Sequence, residues 1–237
     1  MTRQPIRIDA PIEEATFELR FRPAIYPGAV FGLIYRALQD THAGEVTRLP
    51  IMQLPDEIRE KDELLIYRPH YRIRNERFTV QVGPRVLLIS CADPYPGWDH
   101  FSEEIYADLA AVLQQEVIDE VERLGLRYVN RFTKNVSDQL TITVVTDSEA
   151  IQTGNYSLGL SVEKDEFTNY VFIDNEAPAE GTPRMTLIDI DTYLTRRFDV
   201  RNWDYRDTIE RMHTTEKQVF FGLLKDEFVQ TLNPQYE

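Results

Sequence analysis

The sequence predicts an α+β fold in which two similar halves of mainly antiparallel sheet, each with a long amphipathic helix, pack as one unit. Three observations lead there. Short runs with period-two alternation or dense β-branched and aromatic content recur along the chain. Three longer segments repeat their apolar residues every three or four positions. No linker rich in Gly, Ser or Pro divides the 237 residues.

The elements follow in order. Ala15 to Arg22 alternates, with Phe17, Leu19 and Phe21 on one face and Thr16, Glu18, Arg20 and Arg22 on the other, as in a half-buried strand. About Gly28 to Asp40 places Val30, Phe31, Leu33, Ile34, Ala37 and Leu38 on a broad apolar helix face behind Pro27, a residue suited to a first turn. Glu45 to Glu63, with Pro50, Pro55 and many acids, has little apolar area to bury and is expected on the surface as a mobile excursion; Asn175 to Pro183 is the second such segment. Leu64 to Asn75, Phe78 to Val82 and Arg85 to Cys91 read as an antiparallel meander broken at Asn75-Glu76 and Gly83-Pro84.

The clearest helix spans Asp99 to about Asp119, with Phe101, Ile105, Leu109, Val112 and Leu113 inward and acids near its N-terminal end. Strands are then expected over Arg123 to Phe132, Gln139 to Thr146, Tyr156 to Glu163, Phe167 to Ile173 and Arg184 to Arg197. A last helix covers about Tyr205 to Gln230, weakened in its middle by Gly222 and stopped by Asn233-Pro234. The halves, 1–120 and 121–237, meet near Asp119 to Arg123, and each long helix follows a Trp-Asp pair, Trp98-Asp99 and Trp203-Asp204. Each half carries 13 basic and 20 acidic residues.

Charge and composition exclude several classes. With 26 Lys and Arg against 40 Asp and Glu, the net charge of −14 argues against bulk nucleic-acid binding. No window of about 20 apolar residues supports a membrane span. The start leads into charged residues, so no secretory signal is read, and the single Cys91 cannot make an internal disulfide; a cytoplasmic location is expected.

Complete catalytic constellations are missing from the pattern. No Gly-x-Ser-x-Gly is present, and the glycines, at 28, 32, 44, 83, 97, 125, 154, 159, 181 and 222, write neither a dinucleotide fingerprint nor a P-loop. No cofactor is therefore expected. Cys91 is distant in sequence from His42, His70, His100 and His213, and an unpaired cysteine more often behaves as a small buried hydrophobe. Glu210 and His213 have the Glu-x-x-His spacing of di-iron bundles, but the second such motif is absent. Asp189 and Asp191 share one strand face and form the weak metal alternative, since carboxylates at i and i+2 are able to hold one divalent ion; Arg196 and Arg197 favour ion pairing instead.

The most unusual local feature is cationic. Leu64 to Ala92 holds five Arg and one His against the single acid Glu76. Arg68, His70, Arg72 and Arg74 fall on alternate positions, so an extended strand would present them on one face, and Arg127 and Arg131 repeat the pattern later. The candidate binding residues are thus Arg68, Arg72, Arg74, Arg127 and Arg131, as a platform for a small anionic ligand or an acidic protein partner. The competing reading neutralises them with acids of the same chain.

Pro11-Ile12-Glu13-Glu14-Ala15, the strand ending Val82-Gly83-Pro84, Tyr95-Pro96-Gly97-Trp98, Leu124 to Arg131, and an Asp-x-Asp strand followed by His213 and Phe220-Phe221 occur in that order. As a set they resemble a sporadically distributed bacterial family of uncharacterised proteins with a P-x-x-E-A start and a central G-L-R-Y-[IV]-N-R motif. The resemblance covers nearly the whole chain. It implies a bacterial, cytoplasmic, single-unit protein and assigns no role to any residue.

The leading functional expectation is a non-enzymatic binding or protein-interaction module with a basic sheet face. The first alternative is a divalent-metal hydrolase or phosphoryl-handling enzyme using Asp189 and Asp191. The second is a small-molecule pocket between the sheet and the final helix. Ligand, partner and oligomeric state are not written in the pattern.

Overall fold

The computed structural model describes residues 5, 8, 9, 11–92, 94–143, 145, 146, 149, 150, 156–176 and 185–236. Along the chain run β1 (Ile12–Pro23), α1 (Val30–Leu38), β2 (Val46–Arg48), α2 (Asp56–Lys61), β3 (Tyr71–Arg74), β4 (Phe78–Gly83), β5 (Val86–Ala92), α3 (Trp98–Leu113) and β6 (Ile118–Phe132). Then follow β7 (Val145–Thr146), β8 (Glu149–Ala150), β9 (Tyr156–Lys164), β10 (Phe167–Glu176), β11 (Met185–Leu194), β12 (Phe198–Asp199), α4 (Tyr205–Leu223) and α5 (Asp226–Gln230). The class is α+β, with one large antiparallel sheet and five helices among the described residues. None of those helices is long and apolar enough to cross a membrane.

The chain forms two compact units that are not contiguous in sequence. One, the inner unit, comprises Ala15–Leu126 and Tyr193–Ile209; the other, the terminal unit, comprises Met1–Glu14, Arg127–Thr192 and Glu210–Glu237.

In the inner unit the strands lie in the order β2-β3-β4-β5-β1-β6, with β12 also on β6. Cross-strand partners share a face, so the register Ile73↔Val80↔Ile89 defines the covered side and Arg72↔Gln81↔Leu88 the open one. Residues Ile73, Val80, Ile89, Phe17 and Leu19 are fully buried, together with Ile34 and Leu38 of α1 and Phe101, Ile105 and Leu109 of α3. Phe31 of α1 stacks on Tyr71 of β3 at 3.8 Å between ring centroids. Asn75 turns β3 into β4: its Oδ1 accepts the backbone N–H of Arg77 and of Phe78 at 2.9 and 2.6 Å.

In the terminal unit the order is β6-β11-β10-β9. The β9–β10 hairpin turns on two residues, with Asp165 in the left-handed region at φ 54°. Ile188 and Ile190 of β11, Val171 and Ile173 of β10 and Phe132 of β6 form a core with Phe220 and Leu223 of α4 and Phe228 of α5. Asp204 caps α4 by accepting the N–H of Asp207 at 3.1 Å, whereas α3 starts behind Gly97, at φ 92°, with no side-chain cap.

Four segments depart from the sequence reading. The helix expected from Asp99 to about Asp119 ends at Leu113, and β6, expected from Arg123, already begins at Ile118. The run from Leu64 to Asn75 is extended only over Tyr71–Arg74; residues 63–67 turn instead. The cause lies at Gly83, where a Cβ would come within 2.5 Å of the Arg68 carbonyl oxygen and 3.2 Å of Pro69 Cα, so the chain crosses over Gly83 before it enters β3. The last helix is two helices, because residues 139–141 capture backbone groups at the break: Thr141 N–H donates to Leu223 O and Lys225 N–H to Gln139 O, at 2.8 and 2.9 Å. Gly222 therefore sits at an exposed helix end, with its carbonyl accepting the Thr141 hydroxyl. Among the described residues Gln139 to Thr146 is not a continuous strand: Leu140 makes a single antiparallel bridge with Leu224, and Val145–Thr146 pairs with β8.

None of residues 45–63 is buried, and they include β2 and α2. Of the second expected excursion, 177–184 lie outside the described residues.

Candidate functional site

The two arginine rows fall in different units. In the terminal unit Arg127 and Arg131 project from the open face of β6, alternating with the buried Leu126, Tyr128, Asn130 and Phe132. Each meets an acid. Arg127 grips Asp189 with two parallel bonds, Nε to Oδ1 at 2.8 Å and a terminal nitrogen to Oδ2 at 2.5 Å, and Arg131 Nε reaches Glu13 Oε2 at 2.8 Å. The pairing with Asp189 raises the Arg127 pKa further. Asp189 is thus occupied by a guanidinium; Asp191 sits two positions along the same face.

In the inner unit Arg72 and Arg74 lie on β3, and Arg68 on the turn before it. Their cross-strand neighbours are neutral: Arg72 faces Gln81 on one side and Thr47 on the other, and Arg74 faces Thr79. Among the described residues none of the three makes an ion pair or a side-chain hydrogen bond, and Arg72 Nε is buried without an acceptor. Arg68 and Arg74 are exposed. His70 leaves the row: burial first, and then the adjacent Arg59 guanidinium, lower its pKa to about 4, so its neutral ring accepts from Arg59 at 3.1 Å.

Further across this open face charges are matched. Glu18 of β1 pairs with Arg20 at 2.9 Å and with Arg123, Arg22 pairs with Asp119 at 2.6 Å, and Arg197 approaches Glu122 at 3.6 Å. Tyr67, carried over the sheet by the segment that crosses Gly83, donates its hydroxyl to Glu122 at 3.0 Å and lies under the Arg20 guanidinium. At the β3 end of the face, by contrast, Arg68, Arg72 and Arg74 have no such acid among the described residues.

A second constellation was not singled out by sequence pattern. His42, just beyond α1, is fully buried with its Nε2 at 3.0 and 2.9 Å from the two carboxylate oxygens of Asp108 and 3.1 Å from Glu104 Oε1. Asp108 is 1% exposed, and Glu104 Oε1 is a buried oxygen with no well-aligned donor. Burial pulls His42 down, but its bonds to Asp108 and Glu104 outweigh that and push it up to about 9. Among the described residues this is the group of three His, Cys, Asp or Glu side chains with donor atoms within 4.8 Å of one another. Its one sequence signal is Asp108, an acid on the helix face that carries Phe101, Ile105 and Val112.

The terminal unit buries titratable groups on α4. Glu216 is 5% exposed, with no ion pair or hydrogen bond among the described residues, and burial, opposed only by Lys217, pushes its carboxyl up to about 8. Burial and then Lys217 bring half-buried His213 down to about 3; its Nδ1 is 3.5 Å from the Tyr128 hydroxyl. Glu210, one turn earlier, is exposed, so the Glu-x-x-His pair does not point one way.

No family model matches the chain, and no curated protein matches its sequence.

Proposed function

We propose that this protein is a cytoplasmic binding module, rather than an enzyme, and that the β3 end of its open sheet face takes an anionic group, phosphate or carboxylate, from a small ligand or an acidic protein partner. One observation carries the reading. In a chain with 40 acids, Arg68, Arg72 and Arg74 are left without one among the described residues, and Arg72 Nε is a buried donor with nothing to donate to. Leaving such a donor unsatisfied costs about 1–3 kcal/mol, and an anion bound there would recover it. A guanidinium and an anion about 4 Å apart near a protein surface attract by about 4 kcal/mol before desolvation, so several arginines supply useful affinity without a deep cavity.

The long helices α3, which opens with Trp98-Asp99, and α4, which follows Trp203-Asp204, are read as counterparts in two related halves. Membership of the bacterial family suggested by the motifs belongs to the same proposal and adds no activity to it.

The test is isothermal titration of the full chain at low ionic strength with inorganic pyrophosphate and, separately, with a glutamate-rich peptide. Saturable binding of one probe is expected, lost in Arg72→Glu/Arg74→Glu and kept in Arg127→Glu/Arg131→Glu. Absence of heat with both probes, or equal loss in both double variants, ends the reading.

A further inference from the structure

His42, Glu104 and Asp108 have the residue types and spacing of a metal site, and the hydrogen bonds around them decide against one. A histidine that ligates a metal through Nε2 carries its proton on Nδ1 and donates it to an acceptor. Here Nδ1 faces the Nδ2 amide of Asn75 at 3.2 Å, which is a donor. Asn75 cannot present its oxygen instead, because Oδ1 already accepts the backbone N–H of Arg77 and Phe78; a flipped amide would set its NH2 against both. Nδ1 is therefore the bare nitrogen, and the ring proton sits on Nε2.

That proton points at two carboxyl groups. A single N–H satisfies one of them well, and it lies closest to Asp108, which leaves Glu104 Oε1 buried and unserved. Two ionised carboxylates against one neutral imidazole would put two negative charges in a place where His42 and Asp108 have almost no contact with water. The charged groups acting on the ring are these two, both from α3; the β3–β4 turn contributes only the neutral Asn75.

We infer that His42, Glu104 and Asp108 form a proton-holding latch, in which one carboxyl group stays protonated at neutral pH and Asn75, by fixing the histidine tautomer, selects a proton over a divalent metal ion. The latch fastens the edge of the inner sheet to α3. Two residues beyond His42 the backbone of Gly44 lies against the Arg74 carbonyl, where a Cβ would come within 1.5 Å of the oxygen, and β2 follows directly, paired with β3 as Val46↔Ile73, Thr47↔Arg72 and Arg48↔Tyr71. Both His42 and Asp108, the latter first through burial, shift upward; because the three groups titrate together, this counts one proton more in the folded triad than in the unfolded chain, and the Asn75 contact at Nδ1 places that proton on a carboxyl oxygen rather than on the ring as a second N–H. By linkage the stabilisation is complete below the unfolded histidine value of 6.5 and is lost as pH rises through about 9.

Two measurements on the full chain test this. Melting the wild type and Glu104→Gln across neutral to alkaline pH should show the wild type losing several degrees more than the variant, because the neutral amide removes the carboxylate that forces proton uptake. Equal alkaline losses would overturn the latch. In the second, ZnCl2 and MnCl2 at tenfold excess should leave the wild-type melt unmoved but raise that of Asn75→Asp, in which one carboxylate oxygen keeps the turn and the other accepts from Nδ1, freeing Nε2 as a ligand. A wild-type rise with either ion that His42→Gln removes would make the triad a metal centre, and an Asn75→Asp melt indifferent to both would remove Asn75 from its selecting role.

Discussion

The two units handle charge in opposite ways. The terminal unit pairs its surface arginines, Arg127 with Asp189 and Arg131 with Glu13, and buries Glu216 with no hydrogen-bond partner among the described residues. The inner unit leaves Arg68, Arg72 and Arg74 unpaired among the described residues and buries Asp108 against a histidine. Alternate spacing of arginines occurs in both, so spacing by itself does not separate a paired row from an unpaired one. What differs is the neighbouring strand: β11 offers Asp189 beside Arg127, whereas β2 and β4 offer Thr47, Gln81 and Thr79 beside β3. An arginine row becomes a binding candidate only when the strands flanking it are short of acids.

The largest expected effect concerns the buried acid. Between pH 4.5 and about 8 the folded chain keeps a proton on Glu216 that the unfolded chain has released, so this group costs stability progressively as pH rises through that range. Glu216→Gln should match the wild type near pH 4.5 and exceed it above pH 8 by about 3–5 kcal/mol, read from urea denaturation at the two ends. A constant difference would mean that Glu216 finds a partner or water. His213 tilts the other way. Its folded value of about 3 against 6.5 unfolded makes stability fall as pH drops through that window, so the two slopes oppose each other between 4.5 and 6.5. His70, lowered to about 4 by burial and Arg59, adds a slope of the same sign as His213, so a shallow rise with pH in that window, steeper in Glu216→Gln, is the expected profile.

Next in size is binding. Reversing Arg72 and Arg74 should weaken pyrophosphate or acidic-peptide binding by at least about tenfold, on the order of 1.4 kcal/mol or more, while leaving circular dichroism unchanged. A collapse of the fold would show that β3 arginines hold structure as those of β6 do. Reversing Arg127 and Arg131 should instead lower stability by about 1–2 kcal/mol, since each variant sets a carboxylate against an acid at a half-exposed arginine position, where screening keeps the pair weak. Smallest is Arg72→Met, expected to raise stability by about 0.5–1 kcal/mol by deleting a buried donor without an acceptor while abolishing the proposed binding. A loss of stability would show that Arg72 already has a partner.

Much of the architecture was legible because local pattern and tertiary context agree. Strands β1, β4, β5, β9, β10 and β11 fall where alternation puts them, and helix α3 does so up to Leu113, six residues short of its expected end. The misreadings share a cause, which is competition from residues far along the chain. Leu64 to Pro69 alternates well enough for a strand but is drawn across Gly83, and the helix after Tyr205 breaks at Leu224 because Gln139 to Thr141 claims its backbone. The arginine row could be read only as spacing, since pairing depends on which strands become neighbours. The latch was out of reach: His42 and Asp108 are 66 positions apart, and only an acid on an apolar helix face hinted at it.

Gly83 also acts as a spacer of zero thickness. Because its α-carbon bears no further carbon, the segment above rests directly on the sheet, and the height of that segment determines whether the Tyr67 hydroxyl reaches Glu122 and whether its ring meets Arg20. Alanine at this position would leave every one of those residues in place and still lift one layer off the other, so a single methyl group inserted 16 positions downstream of the tyrosine would mistune a contact that substitutions of either partner would never trace back to it.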